Sequence, residues 1–97
     1  MYTAHELIER IRNDPELERT EFSDKFLNRI GDMCSVYGYG ATRLFLAERN
    51  GYEAKVLLKI LRIIEEEKLP FEIGKLILKN LNAIKHVENL QIYEKYR

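Results

Sequence analysis

Between Val56 and Ile64 the sequence VLLKILRII leaves only Lys59 and Arg62 polar. On a helix of 3.6 residues per turn, the apolar side chains of this run sweep an arc of about 220°, from Ile63 round to Leu58. A helix lying on a protein surface needs little more than about 100°. A helix over 52–69 is therefore expected to be surrounded: it is the central helix of its domain, or it is shared between the core and a partner. Leu58 sits against the polar wedge of Lys55, Lys59, Arg62 and Glu66, so a central position accounts for it least well.

The rest of the chain reads as further helices. Thr3 and Glu6 form a capping pair in front of a helix over 4–12, with Leu7, Ile8 and Ile11 on one face. Pro15 in "NDP" ends it. A second helix lies within 16–37, clearest from Glu21, with Phe22, Phe26, Ile30, Met33 and Tyr37 at spacings of three and four and with Leu27 and Cys34 widening the stripe. Thr20 or Ser23 can cap a fresh start inside it. Gly31 either carries a mild propensity cost or admits a neighbouring helix closely.

"YGYGAT" at 37–42 is the strongest break, because Gly38 can take a positive φ that ends a helix. Short helices are then expected over 41–49 and, after Pro70, over 71–86. On the latter, Ile73, Leu76, Ile77, Leu81 and Ile84 form one face, and Leu78 points away among lysines. The tail 87–97 is either a sixth short helix or a docked extension anchored by Val87, Leu90, Ile92 and Tyr93. Neither a strand pattern nor an internal repeat is present. The expected fold is all-α: a small irregular bundle of five or six short helices in one domain.

Charge excludes little by its sum but is zoned along the chain. The 97 residues carry 16 basic and 16 acidic side chains, which disfavours bulk binding to nucleic acid or to an anionic membrane surface. Residues 1–32 are net −3, residues 43–62 net +3, residues 63–74 net −3 and residues 75–97 net +3. Cys34 stands alone, so no internal disulfide forms, and its apolar neighbours Met33, Val36 and Tyr37 suggest a buried structural thiol. With no signal-peptide pattern and no apolar run of membrane-spanning length, a soluble cytoplasmic protein is expected.

One of the basic zones carries a recognisable pattern. In Arg43–Arg62, Ala47 is followed four residues later by Gly51 and then by aliphatic Leu57 and Ile60. This stretch resembles the helix-turn-helix segment of many transcription regulators. The resemblance covers about twenty residues and implies a close helix crossing at Ala47 and a left-handed turn at Gly51. It also implies a second helix in the major groove, with Arg43, Lys55, Lys59 and Arg62 contacting DNA. The same residues would equally form a plain corner between two packed helices.

Catalytic chemistry finds no footing. His5 and His86 lack metal-ligand spacing, Gly38-x-Gly40 lacks the rest of a phosphate loop, and "EEE" at 65–67 points in three directions around a helix. No enzyme activity, metal, cofactor, small-molecule substrate or membrane partner is expected. What remains is a small regulator or adaptor that binds another protein or a second copy of itself through helix faces, with Leu58, Leu78 and Tyr93 as contact residues. Small bacterial and phage modulators offer an analogy only. The alternative is a DNA-binding regulator using Arg43, Lys55, Lys59 and Arg62.

Overall fold

The computed structural model describes residues 4–86, and these form an all-α fold of six helices. Helix α1, Ala4–Arg12, buries Ala4, Leu7, Ile8 and Ile11. Asp14 then does two things. It follows the end of α1, and its carboxylate accepts the backbone N–H groups of Glu16 at 2.8 Å and Leu17 at 3.3 Å. It thereby caps a second helix, α2, Pro15–Arg19, that starts on Pro15. Proline loses nothing at a first helical position, where its missing N–H would have no partner. "NDP" is thus both a stop and a start, and the sequence reading took only the stop. Ser23 provides the next cap by accepting the Phe26 N–H.

Helix α3, Asp24–Ala47, is the long element, and it is broken by one residue: Gly38 has φ 84° and ψ 171°. That region is essentially closed to residues with a Cβ. Its two halves, 24–37 and 39–47, fold back side by side. The Arg29 guanidinium carbon lies 5.4 Å from the Phe45 ring centroid, and that of Arg49 lies 5.4 Å from the Phe26 centroid. Cys34 meets Thr42 across the bend. The break expected at "YGYGAT" is present, and it makes a helical hairpin.

Helix α4, Tyr52–Glu66, buries Ala54, Val56, Leu57, Ile60, Leu61 and Ile64, while Leu58 and Ile63 are half-buried against the same core. The wide apolar arc is therefore used almost entirely within the chain. The central place is shared, however, because α3 packs against both α4 and the following helix α5, Phe71–Lys79. Two glycines permit the close packing. A Cβ on Gly31 would stand 2.6 Å from Lys79 Cγ, and one on Gly74 would meet Ile64 Cγ2 at 2.8 Å as well as the Tyr39 hydroxyl.

The helix expected over 71–86 is interrupted. Asn80 leaves helical geometry (φ −112°, ψ 22°), and its side-chain amide donates to the Leu76 carbonyl at 2.8 Å. A short helix α6, Leu81–Ile84, follows and closes onto the segment before α3. There the Asn82 amide donates to the Phe22 carbonyl and to Asp24, both at 2.8 Å, and the Lys85 ammonium donates to the Thr20 carbonyl.

Candidate interaction face

Two of the three residues expected to form a contact surface are described. Leu78 is fully buried, which corrects its placement among the lysines. Gly74 lies one turn earlier on the same ridge, and because its missing side chain lets α5 approach Tyr39 and Ile64, the buried face of α5 is turned toward Gly74 and Leu78. Leu58 is half-buried and packs on the core. Tyr93 lies outside the described residues.

The four cations that the helix-turn-helix resemblance aims at DNA divide into two pairs. The Lys59 ammonium lies 2.6 Å from Asp14 Oδ2 and 3.0 Å from Glu16 Oε1, and Arg43 Nε lies 2.7 Å from Glu65 Oε2. Lys55 and Arg62 are exposed. At the corner itself, Gly51 is extended, with φ −91° and ψ 148°, and serves as the N-cap of α4. Ala47 is exposed, and a Cβ on Gly51 would meet nothing within 4 Å. The left-handed turn and the tight crossing expected there are absent: the chain leaves α3 through Glu48 in a right-handed helical conformation, so no positive φ is needed, and the close approaches occur at Gly31 and Gly74 instead.

The most exposed of the large apolar side chains lie on α3, with Tyr52 of α4 and Phe71 of α5 less so. Val36 and Tyr37, consecutive in sequence, are 70% and 68% exposed, and Leu44 is 69% exposed. The core face of the first half is Leu27, Ile30, Gly31 and Cys34, so the row Phe26–Met33–Tyr37, one position round the helix, lies at the flank rather than in the core. Glycine at the centre of the buried face is the signal: of the two readings of Gly31, the close approach of a neighbouring helix is the one realised. Met33, Val36 and Tyr37 line a shallow open depression on the outer side of α3 that continues past Asp32 to Arg29 and Lys25.

Beyond that depression, at the open end of the hairpin, arginines and phenylalanines alternate. Arg49 lies over Phe26 and, at 5.2 Å, over Phe45, the ring that Arg29 also faces. Among the described residues neither guanidinium has an ion pair, and neither does Lys25. Two acids of this neighbourhood hold other partners. Asp32 pairs with Lys79 at 2.7 Å, which, chiefly through that hydrogen bond, holds its carboxyl below the usual carboxylate range. Glu53 accepts the Ser23 N–H at 2.9 Å.

Among the described residues Cys34 and the metal-donor side chains do not assemble into a site. Cys34 is buried, and burial pushes its thiol up, away from the thiolate that reactivity requires. Among the described residues no three His, Cys, Asp or Glu side chains converge as metal ligands, and no helix is long and apolar enough to cross a membrane. Comparison with protein-family models, with curated proteins and with solved structures gives no match.

Proposed function

We propose that this chain is a protein-binding regulator or adaptor that acts by docking a partner on the outer face of α3. One observation carries the reading: the adjacent Val36 and Tyr37 are 70% and 68% exposed beside Met33, on a surface of a folded domain whose other large apolar side chains are mostly buried. Contiguous exposed apolar surface is costly in water and marks contact sites. Tyrosine and methionine are among the residues enriched in such contacts.

Val36→Ser combined with Tyr37→Ser tests this directly, since neither side chain supports the core and the fold should keep its melting temperature. With immobilised protein, a partner identified from the native host and then purified should bind the wild type and lose roughly tenfold or more of its affinity for the double variant. Leu58→Ala should leave its affinity unchanged. Sedimentation of the wild type and the double variant covers the case in which the partner is a second copy. A partner bound equally well by the double variant overturns the reading. Salt-sensitive binding to duplex DNA that Lys55→Glu with Arg62→Glu abolishes would put the DNA-binding alternative in its place.

A further inference from the structure

Resting on that reading, we infer that the α3 face is built for an acidic amphipathic helix, whose apolar side chains cover Met33, Val36 and Tyr37 and whose carboxylates reach Arg29 and Arg49. The apolar end of the trough says only that something apolar covers it. The basic end says what charge the occupant carries. Arg29 and Arg49 both direct their guanidinium carbons at one ring, Phe45, at 5.4 and 5.2 Å. Two like charges sharing one aromatic partner repel each other, and no carboxylate among the described residues neutralises either.

Stacking on Phe26 and Phe45 restricts both side chains, so less freedom is lost when their N–H edges meet an anion. Lys25, also without an ion pair among the described residues, lies along the same face. Elsewhere in the fold Lys59, Lys79, Arg10 and Arg43 each hold a carboxylate. Lys55 and Arg62 also lack an ion pair among the described residues, but Arg29 and Arg49 differ from them in converging on one ring, Phe45. An incoming carboxylate supplies the missing charge, and it does so beside an apolar strip about one turn of helix long, Met33 to Tyr37, with Arg29 one turn before. A nucleic-acid strand fits less well, because its evenly spaced phosphates would lie along the apolar strip of Met33, Val36 and Tyr37, whereas a helix can confine its carboxylates to the end beside the arginines.

The test is selection from a displayed library of helical peptides with fixed apolar positions at i, i+3, i+4 and i+7 and random residues elsewhere. Three baits are used: wild type, Arg29→Gln with Arg49→Gln, and Val36→Ser with Tyr37→Ser. Peptides enriched on the wild type should carry excess Glu and Asp flanking the apolar positions. Synthesised singly, they should bind the arginine double variant roughly tenfold to a hundredfold more weakly, lose affinity as salt rises and not bind the Val36/Tyr37 variant.

Enrichment without acidic excess, or affinity indifferent to the arginine changes, overturns the acidic partner while leaving α3 as a docking face. An absence of any enrichment on the wild type overturns both. Tighter binding of a single-stranded oligothymidylate than of any acidic peptide, lost in the arginine variant, would assign the cations to nucleic acid and also overturn the inference.

Discussion

Gly74 lies where α5 meets both the Tyr39 hydroxyl and Ile64, and the phenolic oxygen there is buried without a hydrogen-bond partner. Burial, with smaller contributions from the neighbouring Cys34, Glu65 and Glu72, pushes Tyr39 up to about 12. A methyl group at position 74 would gain about 1 kcal/mol of helix propensity over glycine, but it would have to displace Ile64 and Tyr39, and overpacking of this kind costs about 1–3 kcal/mol. Gly74→Ala should therefore leave the protein no more stable, or less stable by up to about 2 kcal/mol in urea unfolding. Tyr39→Phe should be neutral or stabilising, because it removes an unsatisfied polar atom, and it should soften the Gly74→Ala loss in the double variant. The neutral phenol is favoured in the fold, so its contribution is complete below the ordinary tyrosine value and is lost as pH rises toward about 12. That alkaline loss should be smaller in Tyr39→Phe. Additive effects of the two substitutions would show that hydroxyl and glycine are not packed together.

At the scale of elements, Gly38 and Gly40 stand two residues apart in "YGYGAT" and have opposite roles. Gly38 occupies φ 84°, ψ 171° and turns α3 back on itself, whereas Gly40 lies within the helical second half, where an added Cβ would come no closer than 3.9 Å to Arg43. Gly38→Ala should cost about 1–3 kcal/mol, and Gly40→Ala should gain up to about 1 kcal/mol. Equal effects in thermal and urea unfolding would mean that the bend does not depend on the glycine conformation. This break was legible because glycine is the residue that a positive φ demands. The start of α2 was equally written, in Asp14-Pro15-Glu16, but the proline was read as an ending alone. The interruption at Asn80 was not legible, because the apolar period continues through Leu81 and Ile84 as though one helix ran on. The facing of α5 was missed for a related reason: apolar periodicity counts side chains, and the closest packing on α5 is made by a residue that has none. Gly31 does offer a close approach among its two readings, but a stripe centred on its larger apolar neighbours puts Tyr37 in the expected core and leaves the exposed surface of α3 out.

Over the whole molecule, the zoned charge becomes a set of contacts between distant segments. Lys59 of the basic zone holds Asp14 and Glu16 of the acidic N-terminal zone, Lys79 holds Asp32, and Arg43 holds Glu65. Two of the five cations of the basic zone 43–62 are thus spent on bringing helices together. The stabilising effect of these contacts is modest, since exposed pairs contribute about 0–1 kcal/mol each, but they make stability depend on pH in a definite direction. Burial opposes ionisation of Asp14, yet the hydrogen bonds from Lys59 and from the Glu16 and Leu17 N–H groups outweigh it and hold the carboxyl below its ordinary value. Lys59 is raised by the hydrogen bonds to Asp14 and Glu16. The pair therefore contributes fully above the unfolded carboxylate value of about 3.9, and its contribution falls away as pH drops through the lowered value of Asp14. At the alkaline end it is lost as Lys59 deprotonates above its ordinary range. Lys59→Met should be less stable than the wild type at pH 6, by up to about 1 kcal/mol, and the two should converge near pH 2, where the carboxylates of both are protonated. Urea midpoints measured down that range decide the matter: a gap that persists unchanged at pH 2 would mean that Lys59 acts through the packing of its methylene stem, not through the charges it joins.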